Sequence, residues 1–299
     1  VKRDGEDVVA KDISDQLVKV DVQGPLSFKL LKSIYGDAVL KNRNNPEKNM
    51  SFFTFNEFER DGHKYYISRT GYTNRWGWEL YIPAAKATED FKAIVSKALD
   101  LDGLLVGLGG RDENRMSAGP HGLPLMGSEY DPEHSPLNAP LFAAGVDMDK
   151  ESFIGKEALQ KELDSNPTKA LLILVSEGIA SNRGVYLDGK RLGTVTSSIN
   201  SPNLSLEMRQ AIGSSRKNVN EPNGTAAIGL AWLYANPFPV DGEGKPITER
   251  DGQAIRVPVQ FFREDGEGKP MGSPVLGYLT MEGITPATAP KPLKNIENL

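Results

Sequence analysis

Leu17–Val22 alternates apolar and polar positions, with Val18, Val20 and Val22 on one face, and this period of two predicts a strand. Gly24-Pro25 follows, then Phe28, Leu30, Leu31 and Ile34 at helical spacing, closed by Gly36. Lys41–Met50 is polar and is expected to be a loop. Ser51–Arg60 and Lys64–Ser68 are rich in aromatic residues and flank Asp61-Gly62, a hairpin signal. Gly77–Ile82 alternates again, with Trp78, Leu80 and Ile82 on one face and Glu79 and Tyr81 on the other. Ala84–Leu99 then shifts to helical period, with Phe91, Ile94, Val95, Ala98 and Leu99 as its apolar stripe. This order predicts an α+β layout in which antiparallel strands carry helices on one side.

Leu104–Gly110 is apolar and glycine-rich and leads into an expected helix over Arg111–Met116. Ser117–Leu141 has little periodicity and reads as an ordered loop, and Phe153–Leu163 as a short amphipathic helix. From about Pro167 the texture becomes all-β. Ala170–Val175 is a buried strand, Gly184–Leu187 and Arg191–Ser197 flank Asp188-Gly189, and Ala226–Tyr234, Ala254–Arg263 and Val275–Thr280 follow. Short strands with Asp-Gly turns suggest a small barrel or sandwich. The resulting domain expectation is 1–140 as an α+β region, 141–166 as a connecting helix, 167–280 as a β-barrel and 281–299 as a tail. The hexapeptide Asp241-Gly-Glu-Gly-Lys-Pro246 recurs as Asp265–Pro270. Its flanks do not match, so shared loop chemistry explains it better than a repeat architecture, and it has too few acidic positions for a calcium loop.

At 299 residues, about two domains are expected. Hydrophobic residues make up 38% and charged residues 25%, which fits a folded chain. The longest clean apolar run, Ala170–Val175, is far short of the roughly 20 residues a bilayer span needs. A net charge of −5 argues against nucleic acid or an anionic membrane as partner. With no cysteine, disulfide scaffolds and thiolate chemistry are excluded, and with three histidines a multi-histidine metal centre is not expected. Residue 1 is Val, and the first residues are charged rather than apolar. Either something has been removed or the sequence begins part-way through a longer chain. Cytoplasmic location is the expectation.

Three constellations could carry chemistry. Ser68-Arg-Thr-Gly-Tyr-Thr-Asn-Arg-Trp-Gly-Trp-Glu-Leu-Tyr81 crowds aromatic rings around a carboxylate, a usual means of holding a flat heterocycle. If the Trp78 face is core, Glu79 looks into a cleft; the alternative is an aromatic hairpin with a solvated Glu. Gly107-Leu-Gly-Gly-Arg-Asp112 lacks the third glycine of a dinucleotide fingerprint. It reads either as a helix N-terminus where Arg111 holds an anion, or as a turn capped by Asp112. His63, His121 and His134 are candidate bases or solvated loop residues. No Gly-x-Ser-x-Gly elbow supports hydrolase chemistry.

Taken in order, several motifs resemble the glycine cleavage system T-protein (aminomethyltransferase) family. They are Val22-Gln-Gly-Pro25, Ile67-Ser-Arg-Thr-Gly-Tyr-Thr73, Gly77-Trp-Glu-Leu-Tyr81, Gly107-Leu-Gly-Gly-Arg-Asp112, Gly122-Leu-Pro-Leu-Met-Gly127 and Phe153-Ile-Gly-Lys-Glu-Ala-Leu159. Gly193-Thr-Val-Thr-Ser-Ser198, Ser201-Pro202 and Ala227-Ile-Gly-Leu-Ala231 look like its C-terminal barrel. The family also includes tetrahydrofolate-dependent demethylases, such as the dimethylsulfoniopropionate demethylase. The resemblance implies domains arranged around a folate channel, with tetrahydrofolate as cofactor. It implies that Glu79 holds the pterin, that Tyr72 lines the ring and that Arg111 contacts the folate.

The resemblance begins about a third of the way into the family pattern. The family's catalytic Asp would lie before Val1, so no catalytic residue is assigned, and a second chain could supply the missing third. Asn74-Arg75-Trp76 replaces the family's usual loop, and Ala144 stands where a Trp is usual. The function implied is transfer of a methyl or aminomethyl group from a small-molecule donor to N5 of tetrahydrofolate. Trp76 and Trp78, with Tyr65 and Tyr66, are candidate cage residues for a cationic methyl donor. The alternatives are a non-catalytic folate-binding module or the folate domain of a larger dimethylglycine/sarcosine-type oxidase.

Overall fold

A computed structural model describes Gly5 and residues 7–281, apart from 74, 119–121, 140–142, 144, 166–168, 222, 223 and 244. Asn74, His121, Ala144 and the expected tail beyond Met281 therefore lie outside the described residues. The chain forms two compact units that divide between Val106 and Gly107. The boundary expected near residue 140 thus falls earlier. Among the described residues no helix is long and apolar enough to cross a membrane.

The first unit is α+β. Strand β1 (Leu17–Gln23) leads through Gly24 into helix α1 (Ser27–Tyr35), which ends at Gly36, φ 86°. A 3-10 turn (Ala38–Leu40) precedes a short ribbon, β2 (Lys41–Asn42) and β3 (Asn45–Asn49), where a loop was expected. The Asn42 side chain makes its turn by accepting from the Asn44 and Asn45 amides at 2.8 and 3.1 Å. Strands β4 (Phe55–Arg60), β5 (His63–Ser68) and β6 (Gly77–Pro83) follow, then helix α2 (Ala87–Asp100). Asp61 and Gly62 both take positive φ in the β4–β5 turn, as a two-residue hairpin of this hand requires.

The sheet order is β1-β6-β5-β4, antiparallel throughout. Trp78, Leu80, Ile82, Tyr65, Ile67 and Val22 bury one face, together with Phe28, Leu30 and Leu31 of α1 and Ile94 of α2. The stripe expected on α2 is only partly right. Phe91 and Leu99 are 43% and 58% exposed, whereas Asp90 is buried. Asp90 accepts from the Tyr65 hydroxyl at 2.7 Å, so α2 presents its Asp90–Ile94 side to the sheet.

The second unit contains α3 (Leu108–Met116), a 3-10 turn (Pro136–Asn138), α4 (Lys156–Asp164) and a closed six-stranded barrel. The barrel strands are β7 (Ala170–Ser176), β8 (Gly184–Leu187), β9 (Lys190–Ser201), β10 (Ala226–Leu233), β13 (Val257–Glu264) and β14 (Pro270–Thr280). Short helices α5 (Leu206–Gln210) and α6 (Lys217–Asn220) and the small ribbon β11 (Glu249–Arg250) and β12 (Gln253–Ala254) lie between them in sequence. Around the barrel the order is β10-β7-β14-β13-β8-β9.

Leu172, Leu174, Val185, Val195, Ala231, Leu233, Val259, Phe261 and Leu279 form one cluster, contributed by all six strands, which places it inside the barrel. Leu171, Ile173, Val175, Ile228, Leu230 and Trp232 point the other way, against Met116, Leu204 and Met208. Burial on both faces explains why Ala170–Val175 is apolar without alternation. Helix α4, expected to be an amphipathic connector, buries none of its residues, and Ile154 before it is 81% exposed. Among their described residues the two hexapeptides make the same bonds. Asp241 Oδ1 accepts from the amides of Glu243 and Lys245, and Asp265 Oδ1 from those of Glu267 and Lys269, each at 2.9 Å.

Candidate functional site

Pairing of β1 with β6 sets Asp21 opposite Glu79 and Lys19 opposite Tyr81; pairing of β5 with β6 sets Ser68 opposite Glu79 and Tyr66 opposite Tyr81. Since successive strand side chains alternate faces, these residues make up the polar face of the first unit's sheet, opposite the Trp78 core. Glu79 is half-buried there. The Thr70 hydroxyl donates to its Oε2 and the Lys19 ammonium pairs with its Oε1. Lys19 also pairs with Asp21 at 3.1 Å, and Ser68 Oγ lies 2.6 Å from Thr70 Oγ1. Burial alone would raise the Glu79 carboxyl, but the bonds from Lys19 and Thr70 outweigh it and hold the group below the ordinary carboxylate range.

The loop from Arg69 to Trp76 is fixed by Gln23 at the end of β1. The Gln23 amide nitrogen donates to the carbonyls of Trp78 and Thr70 at 3.1 and 3.3 Å, and its oxygen accepts from the Thr73 hydroxyl at 3.1 Å. Gly71 and Gly77 leave room for that amide: a Cβ on either would lie 2.2 or 2.0 Å from Gln23 Oε1. The Gly24 amide donates to the Trp76 carbonyl at 2.5 Å. Tyr72 lies half-buried within this tethered loop.

Of the four candidate cage residues, Tyr66 lies half-buried on the polar face and the other three pack against the core. Trp78 is 1% exposed and packs on Phe28 at 6.3 Å between ring centroids, so it offers no face to a ligand. Trp76 packs against the same core, and the Arg69 guanidinium lies 4.2 Å from its ring centroid. Tyr65 is likewise buried, bonded to Asp90.

Arg111 lies half-buried on α3, in the second unit. Asp112 does not cap α3. The helix begins after Gly107 without a side-chain cap, and Asp112 instead accepts from Arg115 Nε at 2.7 Å. Arg115 and Glu129, 2% and 0% exposed, form the centre that fixes α3 to the barrel. Glu129 accepts from Arg115 Nη1 at 3.0 Å, the Leu125 amide at 2.8 Å, Thr196 Oγ1 at 2.7 Å and Ser197 Oγ at 2.5 Å. Arg115 also reaches Ser197 Oγ at 2.9 Å. Glu113 accepts from Ser201 Oγ and Asn203 Nδ2 on the far side of the same helix. His134 is packed rather than solvated. It stacks on Trp232 at 4.3 Å, with Nδ1 2.7 Å from Asp131 Oδ1. His63 opens β5 beside the Asp61-Gly62 turn.

Lys19, Asp21, Gln23, Thr70, Arg115 and Glu129 were not singled out from sequence as site residues. For the first three a signal was present: they occupy the positions of β1 that alternate with Val18, Val20 and Val22.

The sequence profile of the GCVT N-terminal domain matches residues 1–150. The chain belongs to the glycine cleavage T-protein family. It is 34% identical over 212 residues to an aminomethyltransferase of Herpetosiphon aurantiacus, covering 70% of this chain and 54% of that protein. It is 37% identical over 204 residues to an aminomethyltransferase of Lysinibacillus sphaericus, covering 66% and 51%. In fold it is similar to the glycine cleavage system aminomethyltransferase T from Bartonella henselae, with a TM-score of 0.60 at 20% identity, over 90% of this chain and 60% of that one. The chain spans about half the length of the curated relatives it matches.

Proposed function

We propose that this chain carries the pterin-recognising part of a tetrahydrofolate-dependent one-carbon transferase, and that the group transferred is aminomethyl. The observation that carries the reading is Glu79, an ionised, half-buried carboxylate on the polar sheet face. A carboxylate offers about four acceptor positions; Lys19 and Thr70 occupy one on each oxygen. The remainder suit the paired N–H donors of a pterin edge, so the residues fit the cofactor. When bound, tetrahydrofolate supplies the nucleophilic nitrogen that receives the one-carbon unit.

This chain's residues bind and orient. Glu79 accepts the pterin donors, and Gln23 keeps the Arg69–Trp76 loop and Tyr72 in place against β1. The gain from such an arrangement is proximity and orientation. The aminomethyl group is favoured over a methyl group on a cationic donor because two relatives are named aminomethyltransferases. The packing of Trp78 and the Arg69-covered face of Trp76 also make these two rings a poor cage for a sulfonium or quaternary ammonium.

Isothermal titration of the purified protein with tetrahydrofolate tests the reading. Glu79→Gln should weaken binding by about 1–3 kcal/mol, because ligand donors would lose their charged acceptor. An affinity equal to that of the unmodified protein would remove Glu79 from the site.

A further inference from the structure

We propose that Lys19 is a positioning residue for pterin recognition: its ammonium, bridging Asp21 and Glu79 on the polar sheet face, keeps Glu79 charged and aimed. The inference rests on the folate reading above. The geometry is specific. Lys19 and Asp21 stand two residues apart on the edge strand β1, Asp21 directly opposite Glu79 and Lys19 diagonal to it. The ammonium lies 3.1 Å from Asp21 and in contact with Glu79.

The two carboxylates face each other on neighbouring strands, an arrangement that repels when both are ionised. A cation between them removes that repulsion. Without Lys19, the burial that disfavours the charged form would lose its main opponent, and a protonated Glu79 is the wrong state for accepting two donors. Thr70 holds the second oxygen, so Lys19 and Thr70 together leave the carboxylate little freedom to rotate. The other charged groups on this face are Lys64 of β5 and Glu57 and Glu59 of β4. Lys64 is engaged with Glu57 at 3.2 Å, and its cation is not in contact with Glu79. Tyr66 and Tyr81 lie on the same face.

The test pairs a ligand-free readout with a binding readout. Carboxyl carbon NMR of glutamate-labelled protein follows the Glu79 titration, assigned by its loss in Glu79→Gln. Lys19→Met should raise the Glu79 midpoint by about one pH unit or more, the usual effect of losing an opposite charge at contact distance. Binding of a stable 5-substituted tetrahydrofolate, measured across the same pH range, should show its acid limb moving upward with that midpoint. On the limb, a one-unit move is about tenfold in affinity. Lys19→Arg should restore both.

An unchanged Glu79 midpoint, or tighter binding in Lys19→Met, would overturn the proposal and leave the folate reading intact, provided the unmodified protein binds. An unmodified protein that ignores the folate, with a midpoint that still moves in Lys19→Met, would overturn the folate reading while supporting the ion-pair role.

Discussion

Replacing Glu129 by Gln removes one charge from the centre that fixes α3 to the barrel and leaves the shape almost unchanged. Glu129 is fully buried and accepts four hydrogen bonds, two of them on the oxygen that faces Arg115 and the Leu125 amide. Gln offers one acceptor oxygen where the carboxylate offered two, and its NH2 must point at donors. The Arg115 guanidinium stays buried, with Asp112, the Leu123 carbonyl and Ser197 as its remaining partners. Breaking a buried ion pair from one side costs about 3–5 kcal/mol. The surviving partners argue for the lower end, about 3 kcal/mol. For a unit of this size each kcal/mol lowers Tm by about 2–4 °C, so a fall of roughly 6–12 °C is expected.

The assay is thermal unfolding followed at the Trp232 indole N–H, which donates to the Glu129 carbonyl at 2.6 Å and so reports on this unit rather than on the sheet. Arg115→Met in the same chain should cost less on top of Glu129→Gln than it costs alone, because the two share one interaction. A Tm within about 2 °C of the unmodified protein, or strict additivity of the pair, would refute the reasoning.

Two further perturbations probe the loop tether and the barrel. Gly77→Ala places a methyl group 2.0 Å from Gln23 Oε1, so the amide must leave its three partners. A loss of about 2–3 kcal/mol in denaturant unfolding is expected, and Gln23→Ala in the same chain should relieve the clash without recovering the bonds. In the barrel, Arg191 lies 2.6 and 3.0 Å from the two oxygens of Glu264 and holds its carboxyl below the usual range. A depressed carboxyl contributes stability that is complete above its unfolded value and is lost as pH falls through the folded one. Arg191→Met should therefore be most damaging at neutral pH, with the difference from the unmodified protein narrowing below about pH 4.3; chemical denaturation at several pH values checks this, and a gap that stays constant into acid would contradict it.

Much of the frame of the first unit is legible in the chain itself. The alternation of Trp78, Leu80 and Ile82 with Glu79 and Tyr81 assigns core and polar faces before any pairing is known, and Asp61-Gly62 fixes the hairpin. The all-β character of the second half is legible too, but short apolar strands with Asp-Gly turns leave barrel and sandwich open, and the resemblance is what implies the barrel. What stayed hidden depends on partners distant in sequence. Lys19 meets Glu79 across sixty residues, and only the β1–β6 register brings them together. Phe91 and Leu99 satisfy helical periodicity, yet Asp90 takes the buried position because Tyr65 offers it a hydrogen bond. The early unit boundary has a similar origin: residues 107–139 belong with the barrel through Arg115, Glu129 and Ser197, a connection no local pattern announces. Trp78 and Tyr65 read as candidate cage residues because an aromatic ring packs a core as readily as it binds a ligand, and composition does not separate the two.

The closure of the barrel carries a consequence for association between molecules. Every barrel strand has a hydrogen-bonded neighbour on each side, so no row of unsatisfied amides is offered to another chain. The four-stranded sheet is open, with β1 and β4 at its margins. Both margins are rich in charge, Lys19 and Asp21 on one and Glu57, Glu59 and Arg60 on the other. Charged side chains on an edge strand oppose strand-by-strand association, so replacing Lys19 and Asp21 by apolar residues should show as loss of solubility at high concentration.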